Sequence, residues 1–237
     1  FFKIYLVLYL LYTYIWSQFF RIIICKYCII SILMDTYINF DDVKLKKYIE
    51  PESFDWILGL CKRADIEPQY SRIIDLGSGH GQNTLSLAHH FQKAYGIEVS
   101  DHMLKYAKKL KKRGEQWYDF SNARFYKGNF TNIPIKQVEV IALFNSIHYS
   151  NNVIQDLSNI LSNICINGLL IISEPHINSL AVTSGNRDVV KRKHDQLKNT
   201  RHEIKKFLKI NKNNVTTIRE FENNNKYFIA LKKINKS

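Results

Sequence analysis

Three glycines at alternate positions, Gly77, Gly79 and Gly81, separate the apolar run Arg72–Leu76 from a helix-forming stretch that begins near Asn83. A short apolar run that ends in such a turn reads as a buried strand, and the periodic stretch after it as a helix. The same alternation continues along the chain. It predicts further strands at Lys93–Val99, Ala123–Tyr126, Val138–Phe144 and Leu169–Ser173. It predicts helices over Phe54–Arg63, Asn83–Phe91, Asp101–Arg113, Val153–Cys165 and Val190–Leu208. Two more β-rich runs, Val215–Glu220 and Tyr227–Lys232, flank Asn223-Asn224-Asn225 and read as a hairpin. Strands alternating with helices imply an α/β fold. The expectation is a doubly wound, mostly parallel seven-stranded sheet with a C-terminal antiparallel hairpin.

The first 33 residues have a different character. Ile4–Phe20 carries no charge, and after Arg21 the apolar run resumes as far as Met34. Seventeen helical residues fall slightly short of the ~30 Å hydrocarbon core, although a snorkelling Arg21 makes a span feasible. A signal peptide fits poorly, because no small-residue cleavage site follows. From Met34 onward the composition is that of a water-soluble protein. Residues 1–33 therefore read as a membrane anchor or as translated sequence upstream of a start at Met34, with a buried helix as the third reading. Residues 34–237 form the functional domain. The expected location is cytoplasmic, and membrane-associated through residues 4–33 if that segment is genuine. Cys25 and Cys28 lie inside the apolar run without partner ligands, and the four cysteines are too few and scattered for a disulfide scaffold. No metal site is expected.

The chemistry is concentrated at the glycine turn. Asp75-Leu76-Gly77-Ser78-Gly79-His80-Gly81-Gln82 stands where a strand passes into a helix. Glycines there let the main chain turn sharply and let a ligand touch backbone, while the helix start offers free N–H groups. Glu98 ends the second strand, 23 residues after Asp75, where an acid can accept both hydroxyls of a ribose. The site is therefore expected to hold a nucleoside. A dinucleotide fingerprint needs G-x-G-x-x-G, and here Gln82 occupies the third glycine's place. That departure counts against a nicotinamide or flavin cofactor. An acid two residues before the first glycine suits a ligand with a positively charged amino-acid end.

Several stretches together resemble the class I S-adenosylmethionine-dependent methyltransferases, in particular the type 11-like methyltransferase domain. They are IIDLGSGHGQNTLSLA, YGIEVSDHMLKYAKK, YKGNFTNIP, ALFNSIHYSNN and NGLLIISEP, in that order across residues 72–175. The resemblance implies a Rossmann-like methyltransferase fold, S-adenosyl-L-methionine as cofactor and methyl transfer as the activity. It also implies roles at particular positions. The backbone at Gly77, Ser78, Gly79 and Gly81 would border the methionyl part, with Asp75 near its ammonium. Glu98 would take the ribose, and Val99 and Met103 would flank the adenine. Asn129 stands where the family has an aspartate, so its amide oxygen would accept the adenine N–H, with the Phe130 amide and ring nearby. Asn145 would offer its carbonyl at the methyl-donor end. Ser146 and His148 would face the acceptor, His148 as a general base or as a polar wall of the pocket. Two other classes stay open: a non-catalytic nucleoside-binding module of the same fold, and a nicotinamide-dependent oxidoreductase.

The acceptor is not legible, and charge gives only a direction. The net charge of +13 favours phosphate-rich partners. Part of it arises from a composition rich in Lys, Asn and Ile. Residues 187–212 hold ten basic side chains against three acids, and Lys105–Arg113 holds six against none. RNA or another polyanion bound along residues 187–212 is one expectation for the acceptor. A small molecule is the other.

Overall fold

The computed structural model describes residues 49–50, 54–179, 183, 186–223 and 226–234. All belong to the unit Lys46–Ser237. The readings made for residues 1–33, including the anchor and Cys25 and Cys28, lie outside the described residues. Among the described residues no helix is long and apolar enough to cross a membrane.

The strands are β1 (Arg72–Leu76), β2 (Lys93–Glu98), β3 (Ala123–Lys127), β4 (Val138–Phe144), β5 (Ile164–Pro175), β6 (Val215–Glu222) and β7 (Lys226–Lys233). The helices are α1 (Asp55–Arg63), α2 (Gln82–Ala88), α3 (Asp101–Gly114), α4 (Val153–Ser162) and α5 (Arg187–Ile210). One sheet of seven strands forms in the order β3-β2-β1-β4-β5-β7-β6. β1 pairs in parallel with β2 on one side and β4 on the other, and β2–β3 and β4–β5 are also parallel. β7 runs antiparallel to both β5 and β6. The chain thus winds outward from β1 in one direction, returns, and winds outward from β4 in the other. Right-handed crossovers then place α2 and α3 on one face and α4 and α5 on the opposite face. The crevice above β1 and β4 is the topological switch point, where ligands bind in such sheets.

The two faces are packed differently. Toward α2 and α3 the central strands present Ile73 and Val140 together with the small Ala94, Gly96 and Ala142. These small residues let Leu85, Ala88, Leu104 and Ala107 approach closely. Toward α4 and α5 the same strands present Ile74, Leu76, Tyr95, Ile97, Ile141 and Leu143, which form one core with Leu157, Ile160, Ile204 and Phe207.

The differences from the sequence reading are local. α4 stops at Ser162 and β5 begins at Ile164, where a helix was expected to reach Cys165. Ile164 pairs with Val138, and the register then jumps so that Val140 meets Leu169. The intervening residues bulge outward through Asn167 at φ 65°. Short apolar runs read equally well as helix or strand, and here the pairing decides. α2 ends at Ala88 and not at Phe91. α5 starts three residues earlier than expected because the Asn186 side chain accepts from the Asp188 amide and caps it. The buried stripe of α5 runs through Leu197, Thr200, Ile204 and Phe207, whereas Val190 is half-exposed.

Candidate functional site

A cleft of about 830 Å³ opens above the switch point. The ends of β1, β2, β3 and β4 and the first turn of α4 wall it. Gly77, Gly79, Glu98, Val99, Met103, Asn129, Phe130, Asn145 and Ser146 line it, so nine of the residues singled out from sequence converge there. Asp75, Ser78, Gly81 and His148 do not line it.

The loop after β1 is built by backbone geometry. Gly77, Gly79 and Gly81 have φ of 84°, 53° and 82°, the left-handed region that other residues enter at a cost. Each glycine serves a different neighbour. A Cβ at Gly77 would stand 2.5 Å from Ser146 Cβ, so this glycine lets the loops after β1 and β4 meet. A Cβ at Gly81 would stand 2.5 Å from the Phe125 ring and 2.8 Å from Ala107 Cβ. Gly81 therefore seats α2 against the sheet, the task expected of a third fingerprint glycine. At Gly79 a Cβ would meet nothing within 4 Å, so the backbone there faces open cleft.

Glu98 sits at the end of β2 and organises both neighbouring turns. Oε2 accepts from the Gly79 amide at 2.9 Å and Oε1 from the Ser100 amide at 2.9 Å. A carboxylate offers about four acceptor positions, so one remains on each oxygen, facing the cleft. Beside it Val99 is 62% exposed, an apolar surface that an aromatic base would cover. Ser100 caps α3 by accepting from the Met103 amide.

Asp75 is turned beneath the loop instead of fronting the cleft. Oδ2 accepts from the Thr84 hydroxyl at 2.7 Å, while Oδ1 is buried without a partner. Burial pushes its carboxyl up to about 7; the bond from Thr84 opposes that shift, and the Glu98 charge adds to it. With Glu98 at its rim and the partly charged Asp75 beneath it, the loop is short of positive charge. The residues present therefore fit a nucleoside with a cationic amino-acid end, and would repel a pyrophosphate.

The Asn129 role needs correction. Its Oδ1 accepts from the Thr131 amide, the Thr131 hydroxyl and the Asn132 amide. Short amide side chains readily fold back on their own turn. The oxygen expected to receive an adenine N–H is thereby occupied, and Asn129 can offer the cleft only its donors. Phe130 stacks its side chain on the core beneath the cleft while its carbonyl accepts from Asn159 Nδ2 at 2.5 Å.

The loop after β4 is held by a residue the sequence reading passed over. Glu174, near the end of β5, is 1% exposed. Oε1 accepts from the amides of Ser146 and Ile147 at 3.0 and 2.9 Å, and Oε2 pairs with His148 Nδ1. Ser146 Oγ donates to the Leu76 carbonyl at 2.8 Å, joining this loop to the first. Asn145 adopts φ 54°, and its amide donates to the Ser173 carbonyl at 2.7 Å. Glu174 obeys the rule that singled out Glu98, an acid at a strand's C-terminal end. Applying that rule to every strand would have found it. Tyr149, Ser150 and Asp156 also line the cleft and were not anticipated; Ser150 Oγ donates to Asp156 Oδ2 at 2.6 Å.

Comparison with known proteins agrees with this geometry. Residues 69–225 match the model of a family described as a methyltransferase domain. The chain belongs to that family. A S-adenosylmethionine-dependent methyltransferase from Aquifex aeolicus superposes with a TM-score of 0.59 at 20% identity, over 82% of this chain and 100% of that one. One from Mesorhizobium loti gives 0.55 at 14% identity, over 74% and 96%. Geranyl diphosphate C-methyltransferase from Streptomyces coelicolor, solved with Mg²⁺, geranyl diphosphate and S-adenosyl-L-homocysteine, gives 0.56 at 12%, over 74% and 77%. At these identities the likeness is one of fold. Comparison with curated proteins gives no match. The nicotinamide reading does not stand against the family match.

Proposed function

We propose that the protein transfers a methyl group from S-adenosyl-L-methionine to a small molecule or to RNA. The observation that carries this reading is Glu98, with two free acceptor positions facing the cleft beside the open Gly79 backbone and the exposed Val99. The bound sulfonium supplies an already activated methyl carbon, so this chain needs chiefly to bind, align and exclude water. Glu98 fixes the ribose, Val99 and Met103 cover the base, and the loops locked through Gly77 and Ser146 fix the methyl-bearing end between β1 and β4.

Glu98→Ala tests it. Loss of charge-assisted hydrogen bonds removes about 1.5–3 kcal/mol, so cofactor affinity should fall roughly ten- to a hundred-fold by calorimetry. Wild-type affinity in that variant moves the ribose site elsewhere. Binding without turnover over a broad acceptor panel would favour the non-catalytic module.

The basic face of α5 supports RNA or another polyanion among the acceptors. Lys191, Arg192, Lys193, Lys198, Lys205, Lys206 and Lys209 are all exposed, and Gln196 of the same helix bonds the His148 carbonyl beside the cleft at 2.5 Å. The basic stretch on α3 lies on the opposite face and cannot extend that tract. Phosphate contacts give a salt slope near −0.7 per contact on a single strand. Exchanging Lys191, Lys198, Lys205 and Lys209 for Gln should flatten the slope and leave cofactor affinity unchanged. An unaltered slope returns α5 to a solvated cover of the sheet.

A further inference from the structure

The pair formed by Glu174 and His148 has no part in holding a nucleoside, yet it stands at the cleft's edge. Glu174 is sealed in the protein and receives three hydrogen bonds: the two amides at 146 and 147, and the imidazole Nδ1. An ionised carboxylate is acceptor-only, so the ring must carry its proton on Nδ1. In the neutral ring Nε2 is then left with its lone pair outward. Among the described residues Nε2 has no partner, and it is not sealed from solvent; the side chain is 12% exposed. The ring lies against Tyr149, 4.1 Å between centroids, and Tyr149 and Ser146 on either side of it line the cleft. The backbone of this turn is pinned from β5 by Glu174, from β1 through Ser146 Oγ and the Leu76 carbonyl, and from α5 by Gln196. A base with a free lone pair, a fixed tautomer and a rigid mount is the arrangement that general-base catalysis requires.

Building on the methyl-transfer reading, we infer that His148 is the general base for a protic acceptor, a hydroxyl or an amine, and that Glu174 is its positioning residue. The acceptor's proton passes to Nε2 as its oxygen or nitrogen bonds the methyl carbon. The carbon–sulfur bond breaks and its electron pair stays on the sulfur of the departing S-adenosylhomocysteine. Glu174 then faces an imidazolium and balances its charge. A carboxylate acceptor is already deprotonated at neutral pH and has no use for this pair, so the dyad selects between acceptor classes. The charged or titratable groups nearest the ring are Glu174 on β5, Tyr149 on its own turn, and Arg192, Lys193, His194, Asp195 and Lys198 within about one turn of Gln196 on α5.

Glu174→Gln is the sharpest test. The glutamine oxygen still accepts from the amides of Ser146 and Ile147, so the loop stays clamped, but its NH₂ donates to Nδ1 and drives the ring proton to Nε2. Nitrogen-15 shifts of His148 in the full chain should show Nδ1–H in the wild type and Nε2–H in Glu174→Gln. Methyl transfer from labelled cofactor should be measured to catechol, an aliphatic alcohol, a primary amine, a single-stranded RNA and citrate. At least one protic acceptor should be methylated, with kcat falling roughly 10²- to 10⁴-fold in His148→Gln and Glu174→Gln and acceptor KM unchanged. The acid limb of the rate profile should disappear in His148→Gln. An Nε2–H tautomer in the wild type overturns the inference, as does methylation of citrate alone, of no protic acceptor, or at an unchanged rate in both variants. Calorimetry with S-adenosylhomocysteine separates the two levels. Failure of the wild type to bind it sinks the methyltransferase reading itself, whereas binding with any of those outcomes sinks only the dyad.

Discussion

The two loops that meet at the switch point are built by opposite means. The loop after β1 is shaped by what its residues lack: three glycines in left-handed geometry, one making room for Ser146, one for Phe125 and one for open cleft. The loop after β4 is shaped by a buried side chain from another strand, Glu174, which gathers two amides and an imidazole. The first device is local in sequence and leaves a pattern. The second spans 28 residues, from Ser146 to Glu174, and shows in the sequence only as an acid at a strand's end, with nothing to mark which loop it holds. A binding surface and a polar anchor can thus differ in how far they show in the sequence.

The largest effect is expected from Gly77→Ala. The added Cβ would overlap Ser146 Cβ, and φ of 84° adds its own penalty. Overpacking and the left-handed conformation together should lower stability by about 2–5 kcal/mol in denaturant unfolding. Gly79→Ala, two residues on, meets no neighbour and should lose only about 1–2 kcal/mol from backbone conformation. Its main effect should be on cofactor affinity. Equal losses in stability would mean that the two glycines do not divide their tasks as described.

Glu174→Ala comes next. It orphans two buried amides and releases His148, which should lower stability by about 2–4 kcal/mol. Glu174→Gln keeps the amide bonds and should recover most of that loss. A stable alanine variant would show that the second loop is held by packing alone.

Asp75→Asn should have the smallest effect at acid pH, and the size of that effect depends on pH. The folded carboxyl titrates at about 7, well above its ordinary value of 3.8. The folded protein therefore binds the proton more tightly than the unfolded chain does. Its contribution is fully present below about pH 4 and is lost as pH rises through about 7. Asparagine can still accept from Thr84 and carries no charge. The variant should match the wild type near pH 4 and exceed it above pH 7, by at most about 4 kcal/mol at ~1.36 kcal/mol per pKa unit. Parallel curves for the two proteins would mean that Asp75 is not the group being titrated.

Much of the fold was legible because alternation and turn chemistry are local. The bounds of β1 and β4 were read without error, and β2 within a residue. The boundary between α4 and β5 was not legible, since Ile164 continues the helical stripe and only its pairing with Val138 makes it strand. In the site, the cleft-lining glycines and Glu98 followed from position at strand ends, and Val99 from the family resemblance. The orientation of Asp75 did not, because Thr84 claims it from the next helix. The Asn129 oxygen was misjudged because its partners, Thr131 and Asn132, form a turn whose closure no spacing announces.

The sheet order carries a further consequence for how the chain is made. β7 is the last of the seven strands in sequence, yet it lies inside the sheet, between β5 and β6. Its residues Tyr227 to Leu231 are buried, and it pairs along β5 from Leu169 to Pro175. During synthesis β5 emerges roughly fifty residues before that partner exists, which at about 5–20 residues per second leaves its edge open for several seconds. Through that interval the nascent chain carries an apolar strand with unpaired amides and carbonyls, the template by which one polypeptide joins another. On the ribosome, the seam between β5 and β7 is therefore a place where this chain is exposed to aggregation.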